Sequence, residues 1–424
     1  MPSCESQSTV NMRTRCSKRF LVLMLLLSHL NHFVNGATYL RDQKDQHEVD
    51  SVKDQVHADD PIESITHVFR ESIAGLSART DLLKNQRVES TVIHEVIFHI
   101  QQKNVDEIER ILHEVSDPTS VNYGQHLSRE EVAAMTSNPV SHDYVVAYLE
   151  AAGVSILTET LSGEYITTSA PVSVWEELLD TQFFEFHHIK DSKYGIEKII
   201  RAVSYSIPFV LDKHITSAFN TIQLPLSIWG KPIMTPFTDP DLNIIHSNAA
   251  FGFTGPDNLK SFYNINSAVG NTKSTQAVFQ SIGTYFSPAD LTVFQRRFNL
   301  PRKSVANNIG NHSSDSMCIL SPSSCGEGNL DVQYLMATSQ NSPTTYWYSD
   351  LNSFASWLVT VANMANPPRV FSISYGADES DVSKSEFDAF NLQAMKLGLM
   401  GVTILASSGG NHFLIILCFI IISA

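Results

Sequence analysis

The sequence has few positive charges. Its 424 residues include 29 Lys and Arg against 44 Asp and Glu, which gives a formal net charge of -15. Nucleic acids and anionic membrane surfaces are bound by clustered cations, so this balance argues against both as partners. We therefore expect no nucleic acid and no membrane partner, and the acidic balance suits an acidic compartment.

Cysteine is also scarce, with five in the chain. Cys4 and Cys16 lie near the N-terminus and Cys418 lies in a C-terminal apolar tail, which leaves Cys318 and Cys325 in sequence expected to fold. In an oxidising compartment these two could close a short disulfide loop. Two free thiols remain equally compatible with the sequence.

Two common hydrolase motifs are missing. A zinc peptidase needs H-E-x-x-H on a helix, whereas the segment from His94 to His99 has one residue too many and follows a strand pattern. The G-x-S-x-G turn of α/β-hydrolases is absent, which excludes a lipase of that kind. We expect no metal site and no cofactor in this chain.

The N-terminal apolar run is too short to span a membrane. Arg13, Arg15, Lys18 and Arg19 precede apolar residues from Phe20 to Leu30, and small residues follow up to Ala37. A bilayer span needs ~20 apolar residues, so this pattern predicts a signal peptide over 1–37. The product is then secreted or held in a lysosome-like or vacuole-like acidic compartment. The sequon at Asn311 fits the same route.

Changes in the sequence pattern divide the chain into successive parts. Residues 38–90 start polar and without periodicity, which predicts a flexible leader. Residues 91–225 alternate strand and helix patterns, including a capping box at Ser128 and Glu131, and indicate a small α+β domain with an antiparallel sheet. Proline-rich residues 226–250 are typical of a linker.

The remaining residues have a different organisation. Over 251–410, strand and helix patterns alternate strictly, which indicates a mainly parallel sheet covered by helices on both faces. Active sites of such sheets lie at the carboxyl ends of the strands. The last residues, 411–424, form an apolar tail that fits neither pattern.

Two segments carry a resemblance to a known family. Residues 117–128 read D-P-T-S-V-N-Y-G-Q-H-L-S, which resembles the activation-domain motif of the sedolisin family of serine-carboxyl peptidases, of pro-kumamolisin type. Residues 254–265, T-G-P-D-N-L-K-S-F-Y-N-I, are similar to the start of the mature enzyme in the family's tripeptidyl-peptidase branch. The resemblance implies a ferredoxin-like α+β prodomain followed by a subtilisin-like α/β domain, incomplete at its C-terminus.

A pair of carboxylates occupies a third matching block. Glu327 and Asp331 stand at i and i+4, so on a helix they lie on one face about one turn apart. Like charges this close titrate as a unit, with one pKa raised. Spacing alone would equally fit a solvated helix face or, more remotely, a glycosidase pair. The resemblance implies that Glu327 is the general base of a serine nucleophile and that Asp331 orients it.

The segment from Phe371 to Gly376 resembles the strand that lines the family's substrate cleft. Backbone groups there would pair with an extended peptide, which makes Ser374, Tyr375 and Gly376 candidate substrate-binding residues. An ordinary strand end with a glycine turn explains the same letters equally well.

The family pattern breaks near the end of the chain. After A-S-S-G the family has an aspartic acid that donates to the oxyanion, whereas this sequence has Gly410. The G-T-S motif with the nucleophilic serine and the calcium loop of the full-length family are absent. We therefore expect a truncated, inactive peptidase precursor. The alternative is a non-catalytic secreted fragment whose prodomain binds peptides or the full-length peptidase.

Overall fold

The computed structural model describes residues 66–76, 82–188, 198–224, 254–265, 269–281, 283–349, 354–376 and 379–407. The predicted signal peptide, linker and apolar tail, together with Gly410, lie outside the described residues. All described residues belong to one compact unit, Ile65–Ala424. Within them, no helix is long and apolar enough to cross a bilayer.

The first part of the chain is an α+β domain. Its strands are β1 (His67–Ser72), β2 (Leu82–Arg87), β3 (Ile93–Ile100), β4 (Ser155–Glu159), β5 (Tyr165–Pro171), β6 (Phe183–His188), β7 (Lys198–Ala202), β8 (Ser204–Pro208) and β9 (Ile215–Phe219). Its helices are α1 (Val105–Ser116), α2 (Arg129–Thr136), α3 (Pro139–Ala151) and α4 (Val172–Leu178).

The main sheet of this domain has the order β4-β5-β3-β9, and all its neighbours pair antiparallel. Helices connect β3 to β4 and follow β5, so these elements give the β-α-β-β-α-β order of a split βαβ unit. A core that includes Phe98, Ile166 and Trp175 lies between sheet and helices. The predicted antiparallel α+β unit is therefore present.

Local signals placed the helices of this domain well. Ser128 accepts a hydrogen bond from the backbone of Glu131, and the Glu131 side chain accepts one from Ser128, which confirms the capping box at the start of α2. In α1 the buried residues Ile108, Leu112 and Val115 follow helical spacing, so one face of the helix is apolar.

The prediction of a flexible leader through residue 90 is wrong for its second half. Strand β1 pairs with β8, and β2 pairs with β6, both antiparallel. These partners lie about 100 residues or more further along the chain, so pairing orders a segment whose local composition is polar. Such non-local pairing leaves no signal in a short sequence window.

The second part of the chain is an α/β domain. Its strands are β10 (Gln276–Gln280), β11 (Asn307–Ile309), β12 (Thr344–Tyr348), β13 (Val370–Ile373) and β14 (Thr403–Ala406). Its helices are α5 (Pro256–Phe262), α6 (Pro288–Arg297), α7 (Asp315–Leu320), α8 (Gly326–Thr338), α9 (Phe354–Ala362) and α10 (Lys384–Leu399).

The five strands form one parallel sheet in the order β11-β12-β10-β13-β14. Both faces are covered, because Ala277 and Phe279 of β10 join the core beside α9 and α10, whereas Val278 joins a separate core with Val332 of α8. The predicted parallel sheet is confirmed. Since the strands are parallel, their carboxyl ends share one edge, and side chains from β10 and β13 meet there.

The two domains contact each other through α10. Leu112 of α1 and Val132 of α2 share a core with Phe390 and Leu397 of α10. A buried ion pair crosses the same interface: Lys396 Nζ lies 2.8 Å from Glu164 Oε1, and each side chain is 4% exposed. The first domain thus docks on helix α10.

Candidate active site

Helix α8 holds the two predicted acids on one face at the carboxyl edge of the sheet. Glu327 is the second residue of the helix, and Asp331 follows one turn later. Both are partly buried. The helix sits against β10 and β12 through Val332 and Met336, which turns the acids toward the ends of β10 and β13.

Between the acids, Gly328 allows the close approach of helix and loop. A Cβ at this position would lie 2.3 Å from the carbonyl oxygen of Tyr285 and 2.6 Å from the hydroxyl of Tyr346. Backbone cannot yield easily at such a distance, so a side chain here would push the helix start away from the sheet. Glycine therefore helps to fix the position of the acid pair.

Neutral donors occupy both oxygens of Asp331. Gln280, the last residue of β10, donates from Nε2 to Oδ2 at 2.5 Å. Ser374, directly after β13, donates from Oγ to Oδ1 at 2.9 Å. Because the two donors come from neighbouring parallel strands, the sheet register itself sets the orientation of this carboxyl group.

Tyr375 extends this network behind Gln280. Its hydroxyl lies 2.9 Å from Gln280 Oε1, 2.9 Å from Thr284 Oγ1 and 3.2 Å from the carbonyl oxygen of Ser281. Burial raises the pKa of Tyr375 to about 12, so the hydroxyl keeps its proton. The tyrosine thus fixes the amide that holds Asp331.

The acid pair has perturbed titration. Burial and, second, the nearby charge of Glu327 raise the pKa of Asp331 from 3.8 to about 7, against the hydrogen bonds from Ser374 and Gln280. Burial also raises the pKa of Glu327, which a hydrogen bond from Ser374 partly offsets. The pair therefore keeps a proton well above the pH at which isolated carboxyl groups lose theirs.

This arrangement suits acid–base chemistry. The raised pKa values of both acids mean that the pair can hold one proton and one negative charge at the same time. A carboxylate beside a protonated carboxyl group can take a proton from a hydroxyl nucleophile. Hence the geometry provides a base with an orienting partner.

Most of the predicted site residues meet at this place. Ser374 hydrogen-bonds to both Glu327 and Asp331, and Tyr375 reaches Asp331 through Gln280. Ser374 and Tyr375 use their side chains to hold the acid pair. Their predicted backbone pairing with substrate, and the role of Gly376, remain predictions.

Gln280 was missed by the sequence interpretation. Its only signal is a polar residue at the end of the buried strand pattern that starts at Gln276. A polar side chain at that position of a parallel sheet points to a site at the carboxyl edge.

The question of the cysteines is settled by the structure. Cys318 of α7 and Cys325, which immediately precedes α8, form a disulfide, and both are buried. The bond ties the residue before the helix to the neighbouring helix. The start of α8, and with it Glu327, is therefore cross-linked to α7.

In the described residues, no group of three or more His, Cys, Asp or Glu side chains could hold a metal ion. Calcium remains a prediction for the full-length family.

Comparisons with known proteins agree with this architecture. Residues 80–223 match the family model "Pro-kumamolisin, activation domain". Tripeptidyl-peptidase 1 of Dictyostelium discoideum is 29% identical over 356 residues, covering 74% of this chain and 56% of the relative. Human tripeptidyl-peptidase 1 is 27% identical over 326 residues, covering 74% and 55%.

The chain thus spans about half the length of the curated relatives it matches. A solved Pseudomonas sedolisin, described as a serine-carboxyl proteinase with bound pseudo-iodotyrostatin, has 22% identity and a TM-score of 0.29, covering 37% of this chain and 44% of that one. That structural similarity is too low to support an argument. Through its activation-domain match and these relatives, the chain is similar to proteins of the sedolisin and tripeptidyl-peptidase 1 type.

Proposed function

We propose that this chain is the precursor of a serine-type peptidase that acts in acid on peptide or protein substrates. The observation that carries the proposal is the pair at the carboxyl edge of the sheet, where Glu327 lies beside an Asp331 whose pKa is raised to about 7. The activation domain ahead of it is typical of a zymogen.

In this proposal Glu327 is the general base and Asp331 its orienting partner. Ser374 and Gln280 hold Asp331 in place, while burial keeps the pKa of Asp331 raised against the hydrogen bonds that they donate. Glu327 then accepts the proton of a serine nucleophile as the serine attacks the peptide carbonyl. As the pH rises above about 7, Asp331 loses its proton too, and the pair no longer holds one.

The substrate is an extended peptide. Ser374, Tyr375 and Gly376 follow β13, and backbone groups at such a strand end can pair with a peptide in strand conformation. Relatives named tripeptidyl-peptidase favour release of N-terminal tripeptides over internal cleavage.

The 424-residue polypeptide itself is proposed to be inactive. Position 410 is glycine where the family has its oxyanion aspartic acid, and no G-T-S motif occurs in the sequence. A glycine has no side chain to donate a hydrogen bond to the oxyanion. The active form would then be a product of the same gene that continues past Gly409 into an aspartic acid and a later G-T-S serine.

Sequencing the transcript past the codon of Gly409 and assaying both polypeptides tests this proposal. Each is incubated at pH 4 with a peptide of free N-terminus and with its N-acetylated copy. We expect the longer product to release a tripeptide from the peptide with a free N-terminus and not from the N-acetylated copy. The 424-residue form should cleave neither peptide. Turnover by the short form would overturn its proposed inactivity.

A matched pair of variants tests the site itself in the longer product. Glu327→Gln removes the base and should lower kcat by 10²-fold or more, an order of magnitude typical of a lost general base. Asp257→Asn changes an exposed acid at the start of α5 and should leave kcat unchanged. Equal activity of the two variants would exclude Glu327 as base.

A non-catalytic role is the second candidate for the short form. The activation domain has a core of its own and buries apolar side chains against α10 of the peptidase domain, so it owns a surface suited to peptidase binding. Inhibition of the longer product by the added short form would favour this role.

A further inference from the structure

Asn311 lies in the loop between β11 and α7. The segment Asn311-His312-Ser313 is the only Asn-X-Ser/Thr sequence without proline at X among the 424 residues. Such a sequon is the acceptor for N-linked oligosaccharide in proteins of the secretory pathway. The catalytic proposal above makes no use of this loop.

The loop presents Asn311 to solvent. Asn311 is exposed and adopts a left-handed backbone conformation, with φ of 56°. The preceding Gly310 has φ of 82°, and a Cβ there would lie 2.6 Å from the carbonyl oxygen of Tyr348. The chain therefore makes a tight turn against β12 and leaves the asparagine at its outer side.

Neighbouring side chains anchor the turn. The ring of His312 stacks on Tyr348 at 3.2 Å between centroids and lies 4.4 Å from Tyr285. Its Nδ1 lies 2.6 Å from the carbonyl oxygen of Gly310, and Ser313 Oγ accepts from Asn308 Nδ2 at 2.8 Å. The residues around Asn311 are thus held by the protein, and the asparagine itself lies free for modification.

A second, independent feature indicates the same compartment. The disulfide between Cys318 and Cys325 begins seven residues after Asn311. Structural disulfides persist in oxidising compartments such as the endoplasmic reticulum lumen and the extracellular space. The disulfide and the sequon therefore both indicate a protein made in the secretory pathway.

We propose that the chain enters the secretory pathway and carries an N-linked oligosaccharide on Asn311. In the transfer, the Asn311 side-chain nitrogen forms a bond to the anomeric carbon of a polyprenyl-pyrophosphate-linked oligosaccharide. The bond from that carbon to the pyrophosphate oxygen breaks, the lipid pyrophosphate leaves, and the amide nitrogen gives up one proton.

The glycan has a defined place relative to the acid pair. Asn311 follows the carboxyl end of β11, which lies two strands from β10 in the sheet. Adjacent strands are about 4.8 Å apart, so the strand that leads to the glycan lies roughly 10 Å across the sheet from the strand that ends at Gln280. The oligosaccharide would therefore flank the same edge of the sheet as the acid pair.

The test is translation of the full chain, with its own N-terminal segment, in the presence of endoplasmic reticulum microsomes. We expect protection from added protease and one step of reduced gel mobility, reversed by peptide-N-glycosidase. Asn311→Gln and Ser313→Ala should each abolish the step, whereas Ser313→Thr should retain it. The control Asn341→Gln removes the asparagine of Asn-Ser-Pro, a sequence that is not an acceptor, and should leave the step unchanged.

Mass spectrometry of the tryptic peptides gives a readout that does not depend on folding. After the glycosidase, Asn311 should appear as aspartic acid. A chain that stays protease-sensitive, shows no mobility step, or keeps the step as Asn311→Gln overturns the proposal. None of these readouts requires peptidase activity, so a failure here leaves the catalytic proposal to its own test.

Discussion

The molecule buries a carboxylate in each of two regions and gives them opposite neighbours. Asp331 in the α/β domain lies beside a second acid, Glu327, and its pKa is raised to about 7. Glu164 in the α+β domain lies 2.8 Å from the ammonium group of Lys396. Burial of a lone charge is costly, so the first site retains a proton, whereas the second is matched by an opposite charge.

The interdomain region contains more than the ion pair. Lys396 Nζ also donates to Gln102 Oε1 at 3.3 Å, and Gln102 Nε2 lies 3.0 Å from His99 Nε2. The His99 ring stacks on Tyr165 with centroids 4.5 Å apart. Among the described residues, His99 Nδ1 and Glu164 Oε2 are buried without a hydrogen-bond partner.

Acid acts on the two regions in opposite directions. Burial, with the charge of Lys396 as a smaller cause, lowers the pKa of His99 from 6.5 to about 3. Below about pH 6.5, the histidine is therefore protonated in the unfolded chain but stays neutral in the folded chain. It destabilises the folded state increasingly as the pH falls from about 6.5 to 3. Asp331 has a raised pKa and destabilises the fold as pH rises from about 3.8 to 7.

Acidification therefore favours the protonated state of the acid pair and weakens the contact between the domains. The titrating groups that face His99 are Lys396 from α10, Glu164 and Tyr165 from the start of β5. In mild acid His99 stays neutral in the folded chain, whereas the unfolded chain protonates it. The like-charged pair, by contrast, gains its shared proton there.

Replacing Lys396 should have the largest effect. Lys396→Met leaves Glu164 buried without its cation, which costs about 3–5 kcal/mol in the free energy of unfolding. Urea unfolding at pH 7, followed by tryptophan fluorescence, measures this loss. The matched control is Lys384→Met on the same helix, whose exposed pair with Asp388 contributes about 0.5 kcal/mol or less. Equal effects of the two variants would remove the distinction between buried and exposed pairs.

Replacing Asp331 by a neutral residue should raise the free energy of unfolding, in contrast to the loss expected from Lys396→Met. Asp331→Asn removes an acid that the fold protonates, so it should stabilise the protein at pH 8 by about 2–4 kcal/mol and have little effect at pH 4. Urea unfolding at both pH values checks this difference. Destabilisation at pH 8 would mean that the hydrogen bonds of Asp331 outweigh its burial and the repulsion from Glu327.

His99 determines how steeply the free energy of unfolding depends on pH in acid. In the wild type, His99 takes up one proton on unfolding, so it lowers the free energy of unfolding by about 1.4 kcal/mol for each pH unit between pH 6 and pH 4. Replacing His99 by glutamine should abolish this decrease. The same urea series with His113→Gln, an exposed histidine of α1, should keep the wild-type slope. Identical slopes for the two variants would show that His99 is already protonated in the folded chain.

Ser374 provides the smallest change. Ser374→Ala removes a donor to Asp331 and should raise the pKa of that carboxyl group by about one unit, since a hydrogen bond to a charged group contributes roughly 1.5–3 kcal/mol. Carboxyl-detected NMR titration measures the shift. Ser374→Thr keeps the hydroxyl and should restore the original pKa; a shift in both variants alike would point to packing instead.

What could be predicted from the sequence was mostly local. The capping box of Ser128 and Glu131 and the apolar spacing of α1 each depend on residues within a few positions, and both elements form as expected. The i and i+4 spacing of Glu327 and Asp331 likewise placed both acids on one face of a helix. Helical signals are readable because their interactions are short in sequence.

The missed features depend on contacts between distant positions. Gln280 and Ser374 reach Asp331 only because β10 and β13 are parallel neighbours, although 94 positions separate the two donors. Lys396 and Glu164 are 232 residues apart. The pairing of β1 and β2 with later strands is of the same kind. No short window of sequence contains such relations.

Titration of Asp331 shows whether it shares a proton with Glu327. With the carboxyl carbons of Asp and Glu labelled, NMR on the whole chain follows Asp331 from pH 3 to pH 9, with Glu327→Gln as the comparison. We expect Asp331 to titrate near pH 7 in the wild type and at lower pH, though still above 3.8, in the variant. Titration of Asp331 near pH 4 in both proteins would contradict a proton-sharing pair.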